Sequence, residues 1–185
     1  MELVVTENMT LDGVIDATEG WFEPAGDEEV DESDVLEALQ RQMKVEDALL
    51  LGRMTFESFR AYWPRQLDDQ TGVTKHLDSV SKYVVSSTLE DPGWENTTIL
   101  RGPLEDEARA LKEAPGKEIG VTGSISVVRS LIAAGLVDEY RLFVYPVVLG
   151  RGKRLFADAT GVPKLRLVEA TPFRSGIVLM RYRPA

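Results

Sequence analysis

Residues 48–59 read ALLLGRMTFESF, and this stretch decides the fold. The four apolar residues at 48–51 run without a break, which is typical of a strand buried on both faces of a sheet. Gly52 stops the run, and two phenylalanines follow at helical spacing, so we expect a short helix to begin near Met54. The segment therefore predicts a buried strand that turns directly into a helix.

This turn places a glycine, a cation and a hydroxyl together at the carboxyl end of a predicted strand, at Gly52, Arg53 and Thr55. In open α/β sheets ligands bind at that end, and the free N–H groups of a helix N-terminus favour anions. The plain alternative is a strand, a turn and a helix with Arg53 solvated on the surface, because surface arginines are common. Both interpretations stay open from this segment alone.

Composition restricts the class of protein. A chain of 185 residues favours one domain over residues 1–185, with a sizeable core. The hydrophobic fraction of 43% is typical of a globular protein, and the net charge of -10 argues against general nucleic-acid or membrane-surface binding. Because the chain has no cysteine and no long apolar run, we expect a cytoplasmic protein without a membrane-spanning segment.

The single histidine, His76, argues against a histidine-based metal site or a Ser-His-Asp triad. We expect His76 to lie on a surface helix, and we assign it no chemistry. No metal is predicted.

Further apolar runs alternate with helical patterns, which predicts an α/β fold with a mixed, mainly parallel sheet. The Asp-Gly pair at Asp12 is a turn signal that interrupts the first run, and Pro146 predicts a bulge or a sheet edge. Ser175-Gly176 joins two alternating runs, as in an antiparallel hairpin. The strand-like runs are residues 3–5, 82–88, 97–100, 118–122, 140–149, 164–172 and 177–182.

Two more strand ends carry small polar residues. Hydroxyls at 86–88 can bind phosphate or cap the next turn, and the turn at 123–126 exposes backbone N–H groups before a helix. The latter turn lacks the Gly-x-Gly-x-x-Gly spacing of dinucleotide-binding folds. Trp21 lies in an acidic loop at 20–34, where it either packs on the core edge or forms an aromatic wall over a ligand.

Three of these motifs together resemble the dihydrofolate reductases: LLGRMTFE at 50–57, VVSST at 84–88 and VTGS at 121–124. The later runs GLVDE at 135–139 and YPVVLGRG at 145–152 are more similar to a sister branch, the reductase domain of riboflavin biosynthesis known as the RibD C-terminal domain. The resemblance spans nearly the whole chain. It implies a three-layer dihydrofolate reductase-like fold with a C-terminal antiparallel hairpin.

The resemblance also implies NADPH as the cofactor. NADPH would be preferred over NADH because the hydroxyls at 86–88 match the family's adenosine-phosphate site, with help needed from Arg101 or Lys82. By resemblance, the cofactor contacts lie at Val5, Ile15, Gly52, Arg53, Met54, Thr55, Ser86, Ser87, Thr88, Gly123, Ser124, Ile125 and Ser126.

The implied activity is an NADPH-dependent oxidoreductase that reduces a small heterocyclic substrate, pteridine- or pyrimidine-like. Asp12 or a bound water would donate the proton, and Asp12, Trp21 and Asp34 would line the substrate pocket. The substrate motifs of both branches are replaced here, with Leu36 near the family's helix carboxylate and Thr6 at its lysine. Two other interpretations stay open: a non-catalytic nucleotide- or ligand-binding protein that kept the fold, and a flavin-binding relative.

A homodimer is predicted from the apolar run at 140–149, since Pro146 prevents full pairing near its end and an unpaired apolar edge is normally covered. The resemblance implies the same, because relatives of that reductase branch dimerise through this region. The alternative is that helices cover the strand within one chain. The closing hairpin adds apolar surface at Leu165, Leu167, Ile177, Leu179 and Tyr182.

Overall fold

One mainly parallel sheet organises the fold. The computed structural model describes residues 1–17, 20–22, 30–156 and 164–185, so residues 23–29 of the acidic loop lie outside the described residues. The strands are β1 (Glu2–Thr10), β2 (Glu46–Gly52), β3 (Ser81–Val85), β4 (Thr97–Leu100), β5 (Glu118–Val121), β6 (Glu139–Tyr145), β7 (Leu165–Pro172) and β8 (Val178–Pro184). The helices are α1 (Ser33–Met43), α2 (Arg53–Tyr62), α3 (Val73–Ser79), α4 (Leu104–Glu113) and α5 (Ile125–Ala133), and a 3-10 turn, Trp63–Arg65, follows α2.

The strand order is β4-β3-β2-β5-β1-β6-β8-β7. Strands from β4 to β6 run parallel, whereas β8 pairs antiparallel with β6 and β7. Side chains of α4 and α5 pack in the core on one face, and those of α1, α2 and α3 pack in the clusters on the other. The predicted three-layer α/β fold with a C-terminal hairpin is confirmed.

The opening stretch forms the centre of this arrangement. Strand β2 lies between β3 and β5, and Leu50 and Leu51 are fully buried, which explains an apolar run without alternation. Helix α2 begins at Arg53, directly after the last residue of β2, and Phe56 anchors it in the core with 0% exposure. No loop separates the strand from the helix, so the turn lies at the edge of the sheet.

Strand β1 is longer than the sequence predicts. Residues Thr6 to Thr10 look like a polar loop, but they continue β1 and pair with β6 from Arg141 to Tyr145. Pairing with a neighbouring strand satisfies the backbone N–H and C=O groups of a strand whatever its side chains are. The polar side chains at 6–10 therefore gave a predicted end of β1 that is too early. The predicted turn follows at Leu11 and Asp12, and Gly13 has a φ of +86° that favours glycine.

The prediction that residues 140–149 form a sheet edge is wrong. Strand β6 lies between β1 and β8, and it ends at Tyr145, before Pro146. Its apolar character comes from burial on both faces. The edge at this end of the sheet is β7, where Leu167 is 50% exposed and Val168 is 41% exposed.

A buried ion network joins the last strands at the other end of β6. The carboxylate of Glu139, 0% exposed, accepts hydrogen bonds from Arg141, Arg181 and Arg183 at 2.7–2.9 Å. These three guanidinium groups also bind Glu118, Glu169 and Glu2. Their charges are therefore matched within the protein, and this cluster of arginines is not an open anion site.

Candidate functional site

Turns from three neighbouring strands meet at the carboxyl edge of the sheet. The N–H of Gly52, at the end of β2, donates to the carbonyl oxygen of Gly123 after β5 at 3.1 Å. The Arg53 guanidinium donates to the hydroxyl of Thr88, after β3, at 3.1 Å. The sequence motifs at 52–55, 86–88 and 123–126 therefore form one continuous surface.

Two glycines allow the turns after β2 and β5 to approach each other. A Cβ atom built on Gly52 would lie 2.2 Å from the Ser124 hydroxyl oxygen, and one built on Gly123 would lie 2.5 Å from the Thr55 hydroxyl oxygen. Gly123 also has a φ of +127°, which a side chain rarely adopts. Each glycine thus accommodates a hydroxyl group of the opposite turn, and we call this pair of contacts the glycine interlock.

The glycine interlock brings two helix N-termini together. Helix α2 begins at Arg53 and α5 at Ile125, and the residues that precede them make no side-chain capping bond within the described structure. The first turn of each helix holds no acidic residue. Free N–H groups and aligned peptide dipoles at these two ends favour an anion, and the half-exposed Arg53 side chain adds a cation, which also lies 4.0 Å from a carboxylate oxygen of Glu57 on the same helix.

The hydroxyl groups of the third turn, at residues 86–88, differ in burial and in their contacts. Ser86 is buried, and its hydroxyl oxygen accepts the N–H groups of Thr88 at 3.2 Å and Leu89 at 2.9 Å, so it caps the turn. Ser87 and Thr88 are exposed, and the exposed Arg101 donates to the carbonyl oxygen of Ser87 at 3.2 Å. Arg101 is therefore placed beside this turn, as the sequence analysis required.

Lys82, the other cation considered for this turn, does not lie there. Its ammonium group is buried and donates to the carbonyl oxygens of Leu77 and Val80 at the amino end of β3. That expectation is corrected, and Arg101 is the cation that the fold places near the hydroxyls.

A cavity of about 610 Å³ lies between the sheet and the helices α1 to α3, and Thr122, the residue before Gly123, borders it. Its wall is mostly apolar, and Ile15 and Trp21 belong to it. The Trp21 indole N–H donates to the carbonyl oxygen of Asp16 at 2.9 Å, and its ring packs edge-on against Tyr145 with centroids 5.3 Å apart. Trp21 thus forms an aromatic wall of the cavity rather than packing only at the core edge.

Several predicted site residues lie elsewhere. Val5 is buried in the core, and it is its register partner Val121 that borders the cavity. Asp34 lies outside the cavity lining, because its carboxylate accepts the backbone N–H of Arg174 at 3.0 Å and so joins α1 to the closing hairpin. The assignment of Asp34 to substrate is corrected, whereas Leu36 does line the cavity.

Asp12 holds two loops together. Its carboxylate accepts hydrogen bonds from the Thr10 hydroxyl at 2.7 Å and from the N–H groups of Gly150 at 2.9 Å and Leu149 at 3.2 Å. The Thr10 bond, followed by these backbone bonds, lowers the pKa of Asp12 to about 2. An ionised carboxylate has no proton to give at neutral pH, so the geometry argues against Asp12 as the proton donor.

A contact between a histidine and a carboxylate in the cavity was not predicted from the sequence. The His76 imidazole Nε2 lies 2.5 Å from a carboxylate oxygen of Glu46, and both side chains border the cavity. His76 lies on helix α3, as expected, but its side chain is only 14% exposed because it borders the cavity instead of solvent. A Cβ on Gly120 would lie 1.8 Å from the other Glu46 oxygen, which shows how closely this carboxylate is enclosed.

Glu7 is the second group that the sequence analysis missed. It lies on β1, borders the cavity and is 7% exposed, and its Oε1 atom makes no hydrogen bond to any described residue. Burial raises the pKa of its carboxyl group to about 8. One feature of the sequence indicates that Glu7 is buried. Glu7 lies two residues after the buried Val5 and two before the buried Met9, on the same face of the strand.

The described residues contain no group of three or more metal-ligating side chains that could hold an ion. In the same part of the chain, none of the helices has the length and apolarity needed to cross a membrane.

Glu7 makes a pH-dependent contribution to stability. The folded chain keeps the Glu7 proton up to about pH 8, whereas an ordinary glutamate loses it near 4.5. Between those values the folded state binds one more proton than the unfolded state, so stability falls by about 1.4 kcal/mol for each unit that the pH rises. Urea unfolding across this range should show that slope in the wild type and not in Glu7→Gln. The control variant Glu105→Gln, at an exposed residue, should keep the wild-type slope. A slope in Glu7→Gln equal to that of the wild type would contradict the assignment.

The chain is similar to known proteins over most of its length. The RibD C-terminal domain family matches residues 2–179. YyaP of Bacillus subtilis (strain 168), named an uncharacterized protein, is 37% identical over 139 residues, which is 74% of this chain and 73% of that protein. YwjB of the same organism, also named an uncharacterized protein, is 28% identical over 133 residues, which is 72% of this chain and 71% of that protein.

Solved structures share the fold. A Shewanella sp. PV-4 protein named for riboflavin biosynthesis has a TM-score of 0.72 at 19% identity, over 100% of this chain and 99% of its own. A pyrimidine reductase-like protein from Corynebacterium diphtheriae has a TM-score of 0.68 at 19% identity, over 98% of this chain and 91% of that chain. A Thermotoga maritima deaminase/5-amino-6-(5-phosphoribosylamino)uracil reductase has a TM-score of 0.66 at 20% identity, over 100% of this chain and 56% of that one. With the family match over nearly the whole length, the chain belongs to the RibD C-terminal domain family.

Proposed function

We propose that the chain is an NADPH-dependent reductase of a small, uncharged heterocyclic substrate of the pteridine or pyrimidine kind. The observation that carries this proposal is the glycine interlock, which brings the N-termini of α2 and α5 and the Arg53 side chain to one edge of the sheet. Two of the structurally similar proteins are named reductases or reductase-like, which supports the same class of reaction.

The residues present fit NADPH. Its pyrophosphate needs hydrogen-bond donors, which the two helix N-termini and Arg53 supply, and its adenosine phosphate would lie near Thr88 and Arg101. The cofactor, when bound, supplies the hydride. The protein positions the two reactants and excludes water, and the adjoining cavity has an apolar wall suited to a planar ring.

The lining of the cavity restricts the substrate. Among the described residues that border it there is no lysine or arginine, and the only basic group, His76, is paired with Glu46. A phosphorylated substrate would leave its charge without a cationic partner there. Hydroxyl and amide groups of Thr6, Asn8 and Thr122 border the cavity instead, which favours a neutral ring with hydrogen-bonding edges.

Replacing Arg53 by Ala tests the cofactor site. The variant loses a charge-assisted donor, so we expect NADPH affinity to fall by roughly 1.5–3 kcal/mol in a calorimetric titration. Arg109→Ala is the matched control, because Arg109 forms a similar exposed pair with Glu105 on α4, away from the turns. Unchanged NADPH affinity in folded Arg53→Ala would remove Arg53 from the site, and a wild type that binds neither NADPH nor NADH would remove the reductase proposal.

Replacing Arg101 by Ala tests the preference for NADPH over NADH. The two cofactors differ by the adenosine phosphate, so loss of a cation beside Ser87 should weaken NADPH about tenfold and leave NADH unchanged. Calorimetric titration of both cofactors measures the ratio. An equal loss for both would mean that Arg101 only shapes the turn.

The proposal includes a homodimer, and the strand that would form its contact is β7, which lies at the edge of the sheet, not the internal strand β6. An exposed edge with apolar side chains such as Leu167 is normally covered in a soluble protein. Light scattering should give about twice the chain mass of 20.6 kDa, and Leu167→Lys should shift the mass toward one chain. Leu67→Lys, at a 90% exposed residue away from this edge, is the control. A wild-type mass of one chain would refute the dimer.

A further inference from the structure

The side chains of β1 alternate between two faces of the sheet. Val5 and Met9 belong to the core cluster that contains the side chains of α4 and α5. Thr6 and Asn8 therefore face the other side, where helices α1 to α3 and the cavity lie, and both border the cavity. Phe143, the register partner of Asn8 on β6, packs in a cluster with α1, which agrees with this orientation.

The amide group of Asn8 has no partner and can be reached from the cavity. The side chain is partly exposed, and it makes no hydrogen bond to any other described residue. The polar atoms that are both enclosed and unpaired in the described structure belong to Glu7 and Ser175, so the amide atoms of Asn8 keep accessible surface. A ligand in the cavity can therefore contact the Asn8 amide directly.

Aromatic rings stand beside Asn8. Phe143 lies next to it on β6, and Tyr145 follows two residues later on the same face. The ring of Trp21 packs edge-on against Tyr145 with centroids 5.3 Å apart, and all three aromatic side chains border the cavity. A planar ring packed against them can present its polar edge to β1.

Asn8 lies beyond the opening of the sheet that suits the cofactor ring. Strands β1 and β5 pair only as far as Val5 and Val121, whereas β1 continues along β6. Thr6 and Thr122 directly follow that last pair, so they flank the opening. Asn8 is two residues further along β1 and beside β6, which places it on the side of the cavity left for the substrate.

The amide group of asparagine carries a hydrogen-bond donor beside an acceptor, whichever way its oxygen and nitrogen atoms are assigned. The amide edge of a heterocycle, a ring N–H beside a carbonyl group, has the complementary pattern and forms two hydrogen bonds with it. An amidine edge has two N–H donors and would leave one of them against the N–H of asparagine. An unpaired donor away from water is costly, so Asn8 can discriminate between these two edges.

We propose that Asn8 orients the substrate through an amide edge of its ring, donating a side-chain N–H to the ring carbonyl oxygen and accepting the adjacent ring N–H. The inference rests on the proposed function, and it names the hydrogen-bonding pattern of the substrate at that same site.

The test uses benzamide and benzamidine, two planar probes of nearly the same shape. Benzamide carries a carbonyl oxygen beside an N–H group, and benzamidine carries two N–H groups. Each probe is titrated into the wild type, Asn8→Leu and Asn8→Asp with saturating NADPH, so that the cofactor position is filled. Protein-detected NMR follows the binding at about pH 8, where an aspartate is ionised.

Asn96→Asp is the matched control, since it makes the same change at the other asparagine of the chain. The Asn96 side chain is exposed, donates to the carbonyl oxygen of Asp78 at 2.9 Å and does not border the cavity. NADPH and adenosine 2′,5′-bisphosphate, which lacks the nicotinamide ring, are also titrated alone into each protein.

We expect Asn8→Leu to weaken benzamide at least about fivefold and benzamidine less, because only benzamide loses two hydrogen bonds. Asn8→Asp should shift the ratio of the two affinities at least about tenfold toward benzamidine, since a carboxylate accepts two N–H groups and repels a carbonyl oxygen. Glu32 and Glu46 also border the cavity, but they are the same in every protein compared. Asn96→Asp should keep the wild-type ratio.

The inference is overturned if benzamide does not bind the wild type, or if Asn8→Leu leaves benzamide unchanged or weakens both probes equally. It is also overturned if Asn8→Leu weakens NADPH but not the bisphosphate, because Asn8 would then contact the nicotinamide ring instead of the substrate. A wild type that binds neither nucleotide would show that the proposed function fails. The benzamide and benzamidine titrations without cofactor would then still decide whether Asn8 recognises an amide edge.

Discussion

The close approach of two glycine-containing turns is the constraint on which the candidate site depends. Gly52 leaves space for the Ser124 hydroxyl, and Gly123 leaves space for the Thr55 hydroxyl, so a side chain at either position would push the turns apart. Strands β2 and β5 are parallel neighbours, which brings their following helices to one edge. A protein with a net charge of -10 can therefore attract an anion locally, through backbone dipoles and one arginine rather than through its overall charge.

The pKa values of the carboxyl groups of Asp12 and Glu7 differ because their surroundings differ. Hydroxyl and backbone donors hold the Asp12 carboxylate and lower its pKa, so it serves as a link between loops. Glu46 is paired with His76, the only basic group on the described cavity lining. Among the described residues no group hydrogen-bonds to the buried Oε1 atom of Glu7, and burial raises the pKa of its carboxyl group. Of these carboxyl groups, Glu7 is the one that burial keeps protonated at neutral pH.

Runs of apolar residues and turn residues correctly predicted the elements whose formation depends on residues close together in the sequence. The buried run before Gly52 and the closing hairpin were found because apolar runs and turn residues are local features, and the three polar turns were found because each follows a strand. Pattern failed for the second half of β1, whose polar residues are held by pairing with β6, and for β6, whose apolar surface is covered by neighbours distant in sequence. It also missed Glu7 and the pair of Glu46 with His76, since burial and contacts across 30 residues leave no periodic signal.

The central claim is that the interlocked turns hold the phosphates of NADPH. A crystal structure of the protein grown with NADPH tests it most directly. The account predicts the pyrophosphate at the N-termini of α2 and α5, within hydrogen-bonding distance of Arg53, and the nicotinamide ring at the opening between β1 and β5. A cofactor found elsewhere, for example against Arg181 at the other end of the sheet, would contradict the account.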